Sequence, residues 1–127
     1  GMSISKNGLT VFWTAQEQWF VEAPLETHED IAAVLKKDFK QTASVTEQTG
    51  GWCRFDVKGI DCVSMLERLC AVDVAELKID QATRSVIEHI GIFIICREEK
   101  TWFSIYAPAS FAGSLHHALT TAAKSIA

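Results

Sequence analysis

Ile90-Gly91-Ile92-Phe93-Ile94-Ile95-Cys96, then Arg97-Glu98-Glu99-Lys100, then Trp102-Phe103-Ser104-Ile105-Tyr106: this stretch decides the architecture of the chain. Its first segment is apolar at consecutive positions. A strand built from it buries both faces and belongs in the middle of a sheet, or at a packed interface. The charged tetrapeptide reads as a hairpin turn, and the aromatic-rich segment after it as the returning strand, closed by Pro108. Extended backwards, the strand pattern runs as one strand from Arg84 to Cys96.

Working outward, Trp52 to Val57 alternates. Cys53, Phe55 and Val57 fall on one face and Trp52, Arg54 and Asp56 on the other, as in a half-buried strand. Asp61 then stands at a helix N-cap, and Cys62, Met65, Leu66, Leu69 and Cys70 form the apolar stripe of that helix. Asp73 to Gln81 is irregular. Ser110 is the expected N-cap of a last helix, whose apolar stripe is Phe111, Leu115, Ala118, Leu119 and Ala122. Upstream, Leu9 to Trp13 and Trp19 to Val21 predict two short strands that end at Pro24. Thr27-His28-Glu29-Asp30 has the form of a capping box and opens a helix over Glu29 to Phe39. Ala43 to Val45 is a further candidate strand, and Thr49-Gly50-Gly51 a turn. The sum is an α+β fold: a mainly antiparallel sheet with helices packed on it. The strand–helix–strand–strand–helix order of the second half predicts a ferredoxin-like split β-α-β element.

The 127 residues suit one domain, 1–127, with Leu9 to Phe39 as its first half and Trp52 to Ala123 as its second. Gly1 before Met2 has the form of a tag remnant and is left out of the reading. At 48% hydrophobic residues the chain can build a core. A net charge of −4 argues against a nucleic-acid partner; the nearest basic cluster, Lys36, Lys37 and Lys40, is interrupted by Asp38. No apolar run approaches the roughly 20 residues that span a bilayer, so no membrane segment is expected. Cys53, Cys62, Cys70 and Cys96 form no C-x-x-C pair and sit among apolar neighbours. They read as buried free thiols, and the expected compartment is the cytoplasm.

Candidates for chemistry fail one by one. Glu98-Glu99 sit on a hairpin tip, and Glu29-Asp30 in the first turn of a helix. His116 and His117 are adjacent on a helix and point about 100° apart, which does not suit one shared ion. His89 reads as a strand histidine beside Glu88. Gly50-Gly51 precedes a strand rather than a helix, so it lacks the anion site of a phosphate loop. No catalytic, cofactor-binding or metal-ligating residue is therefore assigned. What stands out is tryptophan. Trp13, Trp19, Trp52 and Trp102 each lie near a strand end and serve either as core-edge filling or as interface anchors.

Two stretches carry a resemblance. Phe12-Trp13-Thr14-Ala15-Gln16-Glu17-Gln18-Trp19-Phe20-Val21 resembles the W-x-G-P-x-E-W-L-L hairpin of folate-binding aminomethyltransferase-type proteins, with Thr14-Ala15 near the position of the Gly-Pro. From Trp52 to Leu119 the markers are Arg54-Phe55-Asp56-Val57-Lys58-Gly59-Ile60-Asp61, Leu66-Glu67-Arg68-Leu69-Cys70-Ala71-Val72-Asp73-Val74, and Pro108-Ala109-Ser110-Phe111-Ala112-Gly113-Ser114-Leu115. Together they resemble the gamma subunit of heterotetrameric sarcosine oxidase. The resemblance implies a fold similar to the folate-binding aminomethyltransferase domain and a non-catalytic subunit role. The complex oxidatively demethylates N-methylglycine in a reaction linked to tetrahydrofolate. It implies alpha, beta and delta subunits as partners, with FAD, FMN, NAD and tetrahydrofolate held on those partners and none on this chain. The alternatives are a stand-alone folate or one-carbon binding module and a ferredoxin-like homodimer.

Overall fold

In the computed structural model, which describes residues 2–6, 8–15, 18–24, 30–39, 44, 48 and 50–126, the central apolar run is a strand buried on both faces. Strand β6 (Ile90–Glu98) lies between β7 (Trp102–Pro108) and β5 (Ala82–Ile87), and β4 (Trp52–Lys58) completes the sheet in the order β4-β7-β6-β5. Every pairing in it is antiparallel. A second sheet, β1 (Ser3–Lys6), β2 (Leu9–Ala15) and β3 (Gln18–Glu22), is also antiparallel.

The alternation of β6 shows what covers each face. Ile92, Ile94 and Cys96 join Phe103, Ile105 and Ala107 of β7 in a core closed by α2 (Cys62–Glu67) and α3 (Ala112–Ile126). That core also takes Leu66, Met65, Leu115, Ala118 and Ala122 from the helices. Phe93 and Ile95 point the other way and join Tyr106, Ala82 and Phe12 in a smaller cluster facing the three-stranded sheet. The layers are thus helices, four-stranded sheet, three-stranded sheet. Fully burying one of these isoleucines contributes about 1.5–3 kcal/mol.

Several expected elements differ. Arg84 to Cys96 is not one strand but a hairpin, with Glu88 and His89 as its two turn residues. Their φ values of 53° and 67° are those a type I′ turn needs, so His89 lies at an exposed tip rather than in a strand. The extra strand changes the topology. β4 and β5, joined through α2, lie at opposite edges with β7 and β6 between them and run antiparallel to each other, so the split β-α-β element is opened by two strands rather than one. Arg97 belongs to β6, not to the turn, which lies over Glu99 to Thr101. Ser110 lies inside a 3-10 turn (Ala109–Phe111) that precedes α3 and makes no cap hydrogen bond. Asp61 holds the N-cap position of α2 without a side-chain cap bond.

Helix α1 (Ile31–Phe39) is present, and the Asp30 carboxylate accepts the Ala33 N–H at 3.3 Å. Thr27 and the candidate strand at Ala43 to Val45 lie outside the described residues, Ser44 excepted. β1 has no counterpart in the sequence reading, which begins at Leu9.

Candidate functional site

Between the two sheets lies a closed ring of polar side chains. On β6, Phe93, Ile95 and Arg97 share the face toward the three-stranded sheet; on β7, Ser104 and Tyr106 share it. β4 adds Arg54 opposite Tyr106 and Asp56 opposite Ser104. β3 adds Glu22 from the other sheet.

The hydrogen bonds run round without a gap. Arg97 Nε donates to Ser104 Oγ at 2.9 Å, and Ser104 Oγ donates to Asp56 Oδ1 at 2.7 Å. Arg54 donates to both Asp56 oxygens, at 2.8 and 3.0 Å, and through Nη1 to Glu22 Oε1 at 2.8 Å. Tyr106 also donates to Glu22 Oε1, at 2.7 Å, and receives Arg97 Nη2 at 2.6 Å. Arg97 Nη1 reaches out of the ring to Ser5 and Thr10 at 3.0 and 3.2 Å. The arginine fork suits this role, since one planar group donates in several fixed directions. Its side chain is only 9% exposed, against 33% for Arg54 and 31% for Glu22 and Asp56.

Two cations face two anions, and the electrostatics follow. Burial alone would raise the Asp56 pKa; the hydrogen bonds from Arg54 and Ser104 and the charge of Arg54 overcome this and hold it below its ordinary value. Trp102 adds to that lowering, although its buried N–H makes no bond of hydrogen-bond geometry. Burial opposes the charge on Arg54, but the bond to Asp56 and the nearby Tyr106 and Glu22 raise its pKa on balance. Burial and the bond to Glu22 push Tyr106 well up, against the arginines.

The chemistry available is therefore that of a clamp. Asp56 is ionised but saturated with donors, Tyr106 keeps its proton, and both guanidiniums are engaged. A general base needs a free lone pair and a pKa near the working pH, and Asp56, with both oxygens engaged by Arg54 and its pKa held low, fits neither. The thiols are similarly quiet. Burial raises Cys62 and Cys70, and raises Cys96 to about 11, so at neutral pH these three are protonated. Among the described residues no three histidine, cysteine, aspartate or glutamate side chains gather to hold a metal ion.

An acid titration tests the clamp. Asp56 has a folded pKa below its ordinary 3.8, so its stabilising contribution is complete above that value and is lost as pH falls through the lowered one. Asp56→Asn should therefore unfold at lower urea concentration than the parent at pH 7, and the gap should close as pH is taken below the ordinary carboxylate range. A gap independent of pH would mean that charge at Asp56 does not matter.

The four tryptophans do not share one surface. Trp13 and Trp19 are cross-strand partners on β2 and β3, 38% and 58% exposed. They stand on the outer face of that sheet, where the row Ile4, Val11 and Val21 lies beside them and Ile4 is 69% exposed. Trp52 turns inward and packs on Phe20 and Phe93, with centroids at 4.9 and 5.8 Å. Trp102 lies at the opposite end of the β4–β7 ladder, under Lys58 Nζ at 4.1 Å.

The ring was invisible to motif reading, because its members come from four strands, β3, β4, β6 and β7. One signal was available: continuing the alternation Phe93, Ile95 places residue 97 on the inner face, and Ser104 and Tyr106 are the polar-capable positions opposite.

No protein-family model and no curated protein matches the chain. Among solved structures, one match is a chain of heterotetrameric sarcosine oxidase from Corynebacterium sp. U-96, in complex with pyrrole 2-carboxylate. The TM-score is 0.85 and the sequences are 18% identical; the likeness covers 98% of this chain and 65% of that one. This chain thus spans about two thirds of the length of the chain it matches, and at this identity the likeness is one of fold. This chain shares the α+β fold of that chain: two antiparallel sheets with packed helices.

Proposed function

We propose that the chain is a non-catalytic, gamma-type subunit of a sarcosine-oxidase-like complex in the cytoplasm. Alpha, beta and delta subunits are its partners, and they hold FAD, FMN, NAD and tetrahydrofolate. The observation that carries this reading is the shared fold over 98% of the chain with a chain of a heterotetrameric enzyme. The segments from Phe12 to Val21 and from Trp52 to Leu119 support it from the sequence side. So does the polar ring, whose groups are committed to joining the two sheets.

In this reading Trp13 and Trp19 anchor the assembly. A flat apolar row with two exposed indoles, standing on a sheet face, suits the desolvated centre of an interface. Trp52 belongs to the same proposal as a support, packed behind that surface on Phe20; Trp102, at the far end of the β4–β7 ladder, lies apart from it.

The test is affinity purification of the tagged chain from its native cells, with partners identified by mass spectrometry and flavin measured by absorbance. Recovery of a flavoprotein of the sarcosine oxidase type is the expected result; its absence counts against the reading. The Trp13→Ser, Trp19→Ser double variant should lose that partner and stay folded, with a stability loss of about 1–3 kcal/mol because Trp13 is only 38% exposed. Retained binding in the double variant would move the interface elsewhere.

A further inference from the structure

The polar ring and an isolated bridge from Met2 to Gln81 tie the two sheets together at one end. At the other end the β2–β3 hairpin and the β5–β6 hairpin part. They leave a groove of about 650 Å³ between Thr14, Gln18 and Phe20 on one side and Arg84, Val86 and Phe93 on the other. That volume lies within the usual range of small-molecule sites.

Three features give the groove a chemistry. Its wall is aromatic: Phe20, Trp52 and Phe93 pack on one another with centroids 4.9 to 5.9 Å apart. Its floor is open at Gly91, which shares the face of Phe93 and stands opposite Val86. A Cβ built on Gly91 would meet nothing within 4 Å, so this position leaves space that a side chain would fill. Its charge is Arg84, paired across the strands with Phe93 and lying 5.5 Å from that ring. Among the described residues Arg84 has no carboxylate partner, whereas Arg54 and Arg97 are both held by the ring.

We infer that this groove binds a planar aromatic carboxylate of one or two fused rings. The rings lie against the Phe20, Trp52 and Phe93 wall over Gly91, where flat apolar area is gained without displacing a side chain. The carboxylate takes the Arg84 fork, a pairing that is short and two-pronged when geometry allows. A cation of the same shape is repelled. The inference is independent of the subunit role, since it uses neither the outer tryptophan face nor the polar ring.

Calorimetric titration of the purified chain with 2-naphthoate and with its neutral counterpart 2-naphthalenemethanol tests it. Naphthoate should bind at least about tenfold more tightly than the alcohol. Arg84→Gln should bring naphthoate down to the level of the alcohol and leave the alcohol unchanged. Gly91→Leu should abolish both, its fold checked by thermal melting; Gly91→Ala, a smaller filling, should weaken both. Failure of naphthoate to bind at millimolar concentration overturns the inference. So does equal binding of the two compounds, or naphthoate binding that Arg84→Gln leaves intact.

Discussion

Arg97→Met should destabilise the protein by about 3–5 kcal/mol, the usual cost of removing one partner from a buried charge network. The guanidinium donates to Ser104, Tyr106, Ser5 and Thr10, and its side chain is 9% exposed. Methionine fills similar volume but donates nothing. Ser5 and Thr10 lose their link to the other sheet, and the Glu22 and Asp56 carboxylates are left with one cation between them. Urea denaturation at neutral pH measures the loss. A value below about 1 kcal/mol, typical of exposed ion pairs, would mean that water already satisfies these groups. Lys78, whose ion pair with Glu99 is 72% and 45% exposed, supplies the contrast: Lys78→Ala should change stability little.

Phe12→Ala should cost a similar amount, about 3–5 kcal/mol, for a different reason. Phe12 is 1% exposed and is the residue of the three-stranded sheet that reaches deepest into the other layer. Its ring lies 5.5 Å from Phe20, 5.8 Å from Phe93 and 4.8 Å from Tyr106. Alanine leaves a cavity that two rigid sheets cannot close. Phe12→Leu should recover more than half of the loss, because it restores most of the volume but not the ring contacts. If Phe12→Ala proved as mild as an exposed substitution, the small cluster would not be holding the layers together. Denaturant melts of the two variants side by side decide this.

The parts of the fold that were legible in the sequence are those where burial writes a continuous pattern. Ile92 to Ile95 reads as a strand covered on both faces, within a sheet or at a packed interface, and it is a central strand buried on both faces. Cys53, Phe55 and Val57 alternate against the helix-side core as expected. The β5–β6 turn was not legible, because its residues are Glu88 and His89 rather than the asparagine and glycine that usually announce positive φ. β1 was missed because its polarity is inverted. Ser3 faces inward at 2% exposure while Ile4 points out, since the inner face at this end meets Arg97 and backbone carbonyls instead of apolar side chains. Arg97 reads as a turn residue because four charged letters in a row look solvated. Only the strand alternation, carried two residues further, shows that the first of them turns inward.

The polar ring also bears on how long a folded molecule lasts. Its bonds join residues 84 and 92 positions apart, Glu22 with Tyr106 and Ser5 with Arg97. Local hairpins such as β5–β6 and β6–β7 can form early, but the ring closes only after both sheets exist and meet. If the ring closes after the folding barrier, its loss speeds escape from the native state more than it slows arrival. Stopped-flow chevrons of Arg97→Met should then show most of the stability loss in the unfolding limb, making the ring a brake on unfolding.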